Sequence, residues 1–332
     1  MSAKKKVSRN WKQFTLGIGC LALLACIVYQ WLPLPGDRTK SPPPELPPRA
    51  IENILELQIA LARLGYSPGS IDGVLGHQSR QALVAYQGTH KLVASGEWDD
   101  TTRRQLKIRE PVFAYIELTQ ADFDRIDPPP TSWRERGQRP RMAYHSILEM
   151  IAEKSQSDPA LILRLNPGLN MDLLVRGQKI KVPYIPPIRF EGRAQHVRIS
   201  LSERSLQVVD AKDRILFHAP VSIARRVDKR PSGELKVAVR VADPNYTFNP
   251  AILSAAAARE GITDKFIIQP GPNNPVGTVW IGLNLPSYGI HGTPEPEQVG
   301  RTESSGCFRL ANWNAEALLG IVEVGMSVYV VP

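Results

Sequence analysis

One change of rhythm governs what this chain can fold into. Up to about residue 190 its apolar residues recur at helical spacing or collect in unbroken runs. From His196 onward they fall in short β-branched segments separated by turn signals: HVRISL, LQVVDA, ILFHAPVSI, LKVAVRV, VWIGLN and SVYVVP. A 3.6-residue period and a two-residue period cannot serve one element type, so the two parts belong to different fold classes. A chain of 332 residues also exceeds what a single core organises, and the expectation is a multidomain α+β protein. With 42% hydrophobic and 22% charged residues, wholesale disorder is excluded.

The net charge of +9 invites a nucleic-acid partner, but its placement argues against one. Lys4, Lys5, Lys6, Arg9 and Lys12 crowd the first twelve residues without an acid, and the remainder is only mildly basic. Directly after them, Phe14 to Leu32 reads FTLGIGCLALLACIVYQWL. That is about the 20 apolar residues a membrane span needs, with the basic flank on the cytoplasmic side. The expectation is a tail and membrane anchor over residues 1–32, with the rest exported. A lipoprotein processed at Cys26, after Leu23-Leu24-Ala25, and a cleaved secreted form are the alternatives. The apolar run continues past Cys26 to Leu32, which favours the anchor. Residues 33–49 follow as a linker, with seven prolines between Pro33 and Pro48. Such a segment favours extended polyproline II and acts as a semi-rigid spacer.

In the segment 50–108, Ile51, Ile54, Leu55, Leu57, Leu61 and Leu64 keep helical spacing, and Gly65-Tyr66 closes the run. A turn-rich SPGSIDGVLG precedes a second helical stretch, Gln78–Gln87. The Leu-Gln opening, Gly65-Tyr66, Asp72-Gly73, Gly76 and the closing Tyr86-Gln87 together resemble the small helical peptidoglycan-binding module of cell-wall enzymes. Residues 109–141 read as a poorly patterned connector. In 142–184, Ile147, Leu148, Ile151 and Ala152 are helically spaced, and Asp158-Pro159 offers a cap and a first helical residue. Leu165-Asn166-Pro167, Gly177-Gln178-Lys179-Ile180 and Val182-Pro183 resemble the end of a lysin motif, a small α/β glycan-binding unit. The glycine-rich opening of that family is missing around Tyr144–Ser146, which leaves a purely architectural role open.

Cys20 and Cys26 lie in the apolar run, so Cys307 is the only cysteine of the exported part. A lone thiol in an oxidising compartment is a liability unless it is buried or used. Ser304-Ser305-Gly306-Cys307 is a small, flexible turn able to expose backbone N–H groups, as a tetrahedral oxyanion requires. A thiol nucleophile also needs a base, and His291 sits in Tyr288-Gly289-Ile290-His291-Gly292-Thr293. The other five histidines carry no comparable surrounding motif. No cluster of further ligands accompanies His291 and Cys307, so neither metal nor cofactor is expected.

The stretch HGTPEPEQVGRTESSGCFRL resembles the signature of the L,D-transpeptidases that remodel peptidoglycan: His-Gly-Thr, a spacer, then Ser-x-Gly-Cys-x-Arg. Gly271-Pro272-Asn273-Asn274-Pro275-Val276-Gly277, Trp280 and Asp243-Pro244-Asn245-Tyr246 also fit that family. The resemblance covers residues 195–332 and implies a mainly β catalytic domain in the bacterial cell envelope, facing the periplasm. It implies Cys307 as nucleophile, His291 as base, and the Gly292 carbonyl as the group that orients the imidazole. Backbone N–H groups of Ser305, Gly306 and Cys307 would form the oxyanion hole. Arg309, Tyr288, Trp280 and Ser304 would line the substrate cleft. The implied reaction cuts a tetrapeptide stem, releases D-Ala and forms a 3→3 cross-link between stems. Many relatives have His where Ser305 stands, a departure that bears on the rate of acylation. An L,D-carboxypeptidase on the same fold, with water as acceptor, and a non-catalytic wall-binding protein are the competing readings.

Overall fold

The structure, a computed structural model, describes residues 46–302 and 306–332. The anchor expected over Phe14 to Leu32 lies outside the described residues, as do Ser304 and Ser305. Among the described residues, no helix is long and apolar enough to cross a membrane.

Asn53 starts the first helix by accepting the Glu56 N–H at 3.0 Å, and α1 runs Ile54–Arg63. Gly65, at φ +85°, turns the chain out of it in the left-handed region. Helices α2 (His77–Thr89) and α3 (Asp100–Gln105) follow. Strands β1 (Arg49–Ala50) and β2 (Lys107–Ile108) pair antiparallel and tie the two ends of the module together. Leu57, Leu61, Leu83, Tyr86 and Ile108 share its core. Buried Gln58 anchors the turn-rich segment: its amide donates to Asp72 Oδ1 at 2.8 Å and Val74 O at 3.0 Å, and accepts the Gly73 N–H at 2.7 Å.

The stretch read as a connector contributes a strand. β3 (Phe113–Glu117) pairs antiparallel with β4 (Lys179–Pro183), which makes the next unit a two-stranded sheet covered by helices. It therefore begins near residue 113 rather than near 142. Between the strands lie α4 (Gln120–Phe123), α5 (Trp133–Gln138), α6 (Ile147–Lys154) and α7 (Pro159–Leu165). Asp158 caps α7 by accepting the Ala160 N–H at 2.7 Å, with Pro159 at the first helical position. Met150, Ile151, Ile162, Ile180 and Val182 form the core of this unit. Helix α5 leans the other way, with Trp133 5.0 Å from Phe248.

The last 140 residues build the main sheet. Its strands are β5 (Ala194–Ser200), β6 (Ser205–Asp210), β7 (Ile215–Pro220) and β8 (Gly233–Ala242). A separate antiparallel pair, β9 (Tyr246–Phe248) and β10 (Phe266–Ile268), flanks helix α8 (Ser254–Glu260). Strands β11 (Val279–Leu283), β12 (Gly289–His291) and β13 (Phe308–Arg309), helix α9 (Asn312–Ile321) and strand β14 (Ser327–Val331) complete the domain. The sheet order is β13-β12-β11-β8-β14-β5-β6-β7, with β12–β13 and β14–β5 parallel. Ser222, just past β7, bridges Arg309 of β13 through backbone bonds of 2.9 and 3.0 Å. The two ends of the sheet therefore meet, which removes an exposed edge beside the nucleophile segment. Phe217, Phe308, Ile281, Val197 and Leu318 lie in the core between this sheet and α9. Asn312 does not cap α9: it is the first helical residue, and Ala311 occupies the cap position without a side-chain bond. Glu316 consequently lies beyond the first turn, where it accepts from Thr278 Oγ1 at 2.7 Å.

The first module joins the sheet at β7. The His218 N–H donates to Gly65 O and the Ser67 N–H to His218 O, both at 2.8 Å. The His218 ring is buried there, and neither nitrogen has a hydrogen-bond partner among the described residues. Burial pushes its pKa down to about 4. A histidine depressed in the folded state lends full stability above its unfolded value near 6.5 and loses it as pH falls toward 4. Replacing His218 by Phe is expected to flatten the fall in unfolding free energy between pH 7 and 4 by about 3 kcal/mol, and the fall in melting temperature with it. Parallel melting curves for the parent and H218F over that range would refute this.

Candidate active site

Strand order brings the expected pair together. His291 ends β12, and the pairing Ile290↔Phe308 and His291↔Arg309 lays β13 parallel beside it. Cys307 immediately precedes β13. It thus stands two positions before Arg309, the residue that pairs with His291. On the other side of β12, His291 is opposite Trp280 of β11. The two rings stack, 5.7 Å apart with planes 23° from parallel. Gly289 makes this possible, because a Cβ there would lie 2.7 Å from the Trp280 ring.

His291 is 6% exposed, and its Nδ1 lies 2.6 Å from the Gly292 carbonyl oxygen. A carbonyl only accepts, so Nδ1 carries the hydrogen and Nε2 keeps the lone pair. Burial pushes the imidazole pKa down to about 4. The Gly292 carbonyl opposes that shift, and the Arg309 charge adds to it. The ring is therefore neutral at pH 7.

The Cys307 thiol is half-buried and donates to Ser287 O at 3.5 Å. Burial raises its pKa, against the opposing pull of the Gly289 backbone N–H and the Arg309 charge. At rest the site holds a thiol and a neutral imidazole rather than an ion pair.

The surrounding groups fall close by. The Tyr288 ring borders Gly306, and its hydroxyl donates to Lys229 O at 3.0 Å, tying the 225–231 loop to the nucleophile segment. Burial lowers the Arg309 pKa, while Glu295 and Cys307 favour its charge. Glu295 has the same effect on Arg136, which α5 brings to the site from the connector. The loop leading to the nucleophile is braced from the first module, where Gln78 Nε2 donates to Val299 O at 2.6 Å. Beyond Trp280 opens a cleft of about 520 Å³, lined by Val241, Asp243, Tyr246, Thr247 and Gln269. Burial raises the Tyr246 pKa, and a thiolate at Cys307 adds to that shift.

Residues 194–330 match the L,D-transpeptidase catalytic domain, and residues 51–106 match the peptidoglycan-binding domain family. Over residues 194–330, less than half of its length, the protein is similar to the L,D-transpeptidase catalytic domain. Its relatives include two proteins named "Putative L,D-transpeptidase YkuD", from Bacillus licheniformis and Bacillus subtilis. The first is 29% identical over 186 residues, 56% of this chain and 93% of the relative. The second is 26% identical over 182 residues, 54% of this chain and 91% of the relative. Among solved structures, an L,D-transpeptidase from Mycobacterium smegmatis is 16% identical, with 48% of this chain and 65% of that chain covered and a TM-score of 0.33. One from Enterococcus faecium is 14% identical, with 42% and 50% covered and a TM-score of 0.31; this chain spans about half its length.

In the C-terminal domain, Trp280, His291 and Arg309 are neighbours across β11, β12 and β13, Gly292 follows His291, Cys307 directly precedes β13, and Tyr288 borders Gly306, while Ser304 and Ser305 lie outside the described residues. Sequence reasoning missed Arg136, Glu295 and Asn312 as neighbours of the site. Tyr246 was visible only as part of Asp243-Pro244-Asn245-Tyr246.

Proposed function

We propose that this protein is a peptidoglycan L,D-transpeptidase that forms 3→3 cross-links through a Cys307 thioacyl-enzyme. The observation that supports the reading is the locked tautomer of His291, which leaves Nε2 unprotonated on a strand that pairs in parallel with the segment directly after Cys307. Cys307 Sγ attacks the carbonyl between the third-position diamino acid and the terminal D-Ala. His291 Nε2 takes the thiol proton and then gives it to the departing D-Ala amine. Backbone N–H groups of Gly306 and Cys307, with that of Ser305, receive the oxyanion. Because the resting pair is neutral, His291 must take the thiol proton before or during attack. The thioester keeps the free energy of the broken peptide bond, and an amine of a second stem resolves it. Arg309 holds a substrate carboxylate beside the nucleophile. The 51–106 module holds the enzyme on peptidoglycan. The apolar run Phe14 to Leu32 anchors it to the cytoplasmic membrane, with the catalytic domain outside.

Mass spectrometry of products from a disaccharide-tetrapeptide tests the reaction. A cross-linked dimer that has lost D-Ala is expected. Monomeric tripeptide alone would replace the reading by a carboxypeptidase, and no turnover would leave a wall-binding protein.

The acid limb of acylation tests the site itself. Neutral His291 persists down to about pH 4, so the rate constant of folded enzyme should hold to about pH 5 and fall below it. An acid limb centred at the ordinary histidine value near 6.5 would contradict the buried, neutral base.

A further inference from the structure

Helix α6 presents two glutamates one turn apart, and each meets an asparagine of the C-terminal domain. Asn273 Nδ2 donates to Glu149 Oε1 at 2.7 Å and to Ala143 O at 2.8 Å. Asn312 Nδ2 donates to Glu153 Oε2 at 3.0 Å and to Pro272 O at 3.2 Å. The other oxygen of Glu153 accepts from the Tyr144 hydroxyl at 3.0 Å. On its far side, Asn312 Oδ1 accepts the Thr293 N–H at 3.0 Å and the Thr278 N–H at 3.2 Å. Asn312 is fully buried, and both its amide hydrogens and both its oxygen lone pairs are engaged. A Cβ at Gly277 or Gly292 would collide with its Oδ1, so the packing admits only glycine at both places. The carbonyl that fixes the His291 tautomer belongs to that same Gly292.

We propose that Glu153 is a positioning residue for the catalytic base: through Asn312 it holds the Gly292–Thr293 turn so that the Gly292 carbonyl stays aimed at His291 Nδ1. The small α/β unit is then a backing for the active site, whatever it binds. The proposal rests on the reading of His291 as base.

The chemistry of the network suits that role. Glu153 faces Tyr144 and Glu149 from its own unit and Glu316 from α9. Burial among them pushes its carboxyl up to about 8. Burial thus favours its neutral form. A glutamine keeps that neutrality, the shape and an oxygen to accept from Asn312, whereas a leucine reproduces only the volume.

The test compares the full-length chain with E153Q, E153L and Tyr144→Phe. Three quantities are read: kcat and KM for D-Ala release per folded molecule, melting temperature, and the pH profile of Cys307 alkylation by iodoacetamide. Peptide mass spectrometry separates Cys307 from Cys20 and Cys26. E153L is expected to lower kcat by on the order of tenfold to a hundredfold with KM unchanged within about twofold. Its alkylation profile should move to higher pH, because a mis-aimed imidazole no longer takes the thiol proton. E153Q should stay within about threefold of the parent on every count. If E153L does not fold, Tyr144→Phe decides, with an expected fall in kcat of about threefold and a profile shift in the same direction.

An E153L protein that loses melting temperature alone would overturn the proposal, as would a Tyr144→Phe protein unchanged in both kcat and profile. Alkylation needs no stem peptide. A parent enzyme that releases no D-Ala would therefore refute the transpeptidase reading and still leave the positioning role decided by the profiles.

Discussion

Replacing Cys307 by alanine is expected to lower D-Ala release from tetrapeptide stems by at least about four orders of magnitude, because no other group can form the covalent intermediate. The structural cost of that change is small. The side chain is half-buried, and its thiol donates a long 3.5 Å bond to Ser287 O. Tm should accordingly stay within a few degrees of the parent, since a lost weak contact of this kind contributes under about 1 kcal/mol. Cys307→Ser separates geometry from nucleophilicity: its hydroxyl fits the site but ionises far less readily, so it should be nearly as inactive. An adduct mass on the Cys307 peptide after brief incubation with substrate would report the thioester directly. A Cys307→Ala protein that still released D-Ala at a comparable rate would sink the proposed chemistry.

His291→Gln should slow acylation by about 10² to 10⁴-fold in a protein that remains folded. Glutamine can still donate to the Gly292 carbonyl, so the turn keeps its partner. What disappears is the basic nitrogen. The thiol, whose pKa burial already raises, must then ionise without help. The remaining activity of His291→Gln should therefore climb with pH in step with thiolate formation, and the acid limb set by the imidazole should vanish. Near-normal acylation at pH 7, with stopped-flow or mass-resolved single turnovers, would remove His291 as the base.

Much of this was legible because it is encoded locally. The β-branched runs from His196 onward became β5, β6, β7, β8, β11 and β14, since alternation is a property of neighbouring residues. Asp158-Pro159 opened α7 as a cap and first residue should. Helix α8 escaped notice because Ser-Ala-Ala-Ala-Ala-Arg-Glu has no amphipathic period and no side-chain cap. Strand β3 was hidden in the connector because its partner lies more than sixty residues later, and pairing at that range leaves no mark on the segment itself.

Asn312 illustrates the division most clearly. An asparagine before a helical stretch is ordinarily a cap. In the fold its amide is engaged by Glu153, Pro272, Thr278 and Thr293, which come from four separated parts of the chain. Residue types and spacing alone determined that a histidine turn and a glycine-cysteine turn would appear in a mainly β domain behind a helical module. Only the tertiary structure decided which atoms meet: the parallel pairing of β12 with β13, the tautomer of His291, and the glutamate behind it. Those depend on burial and on contacts between distant segments, and dielectric environment is a property of the packed molecule rather than of any stretch of sequence.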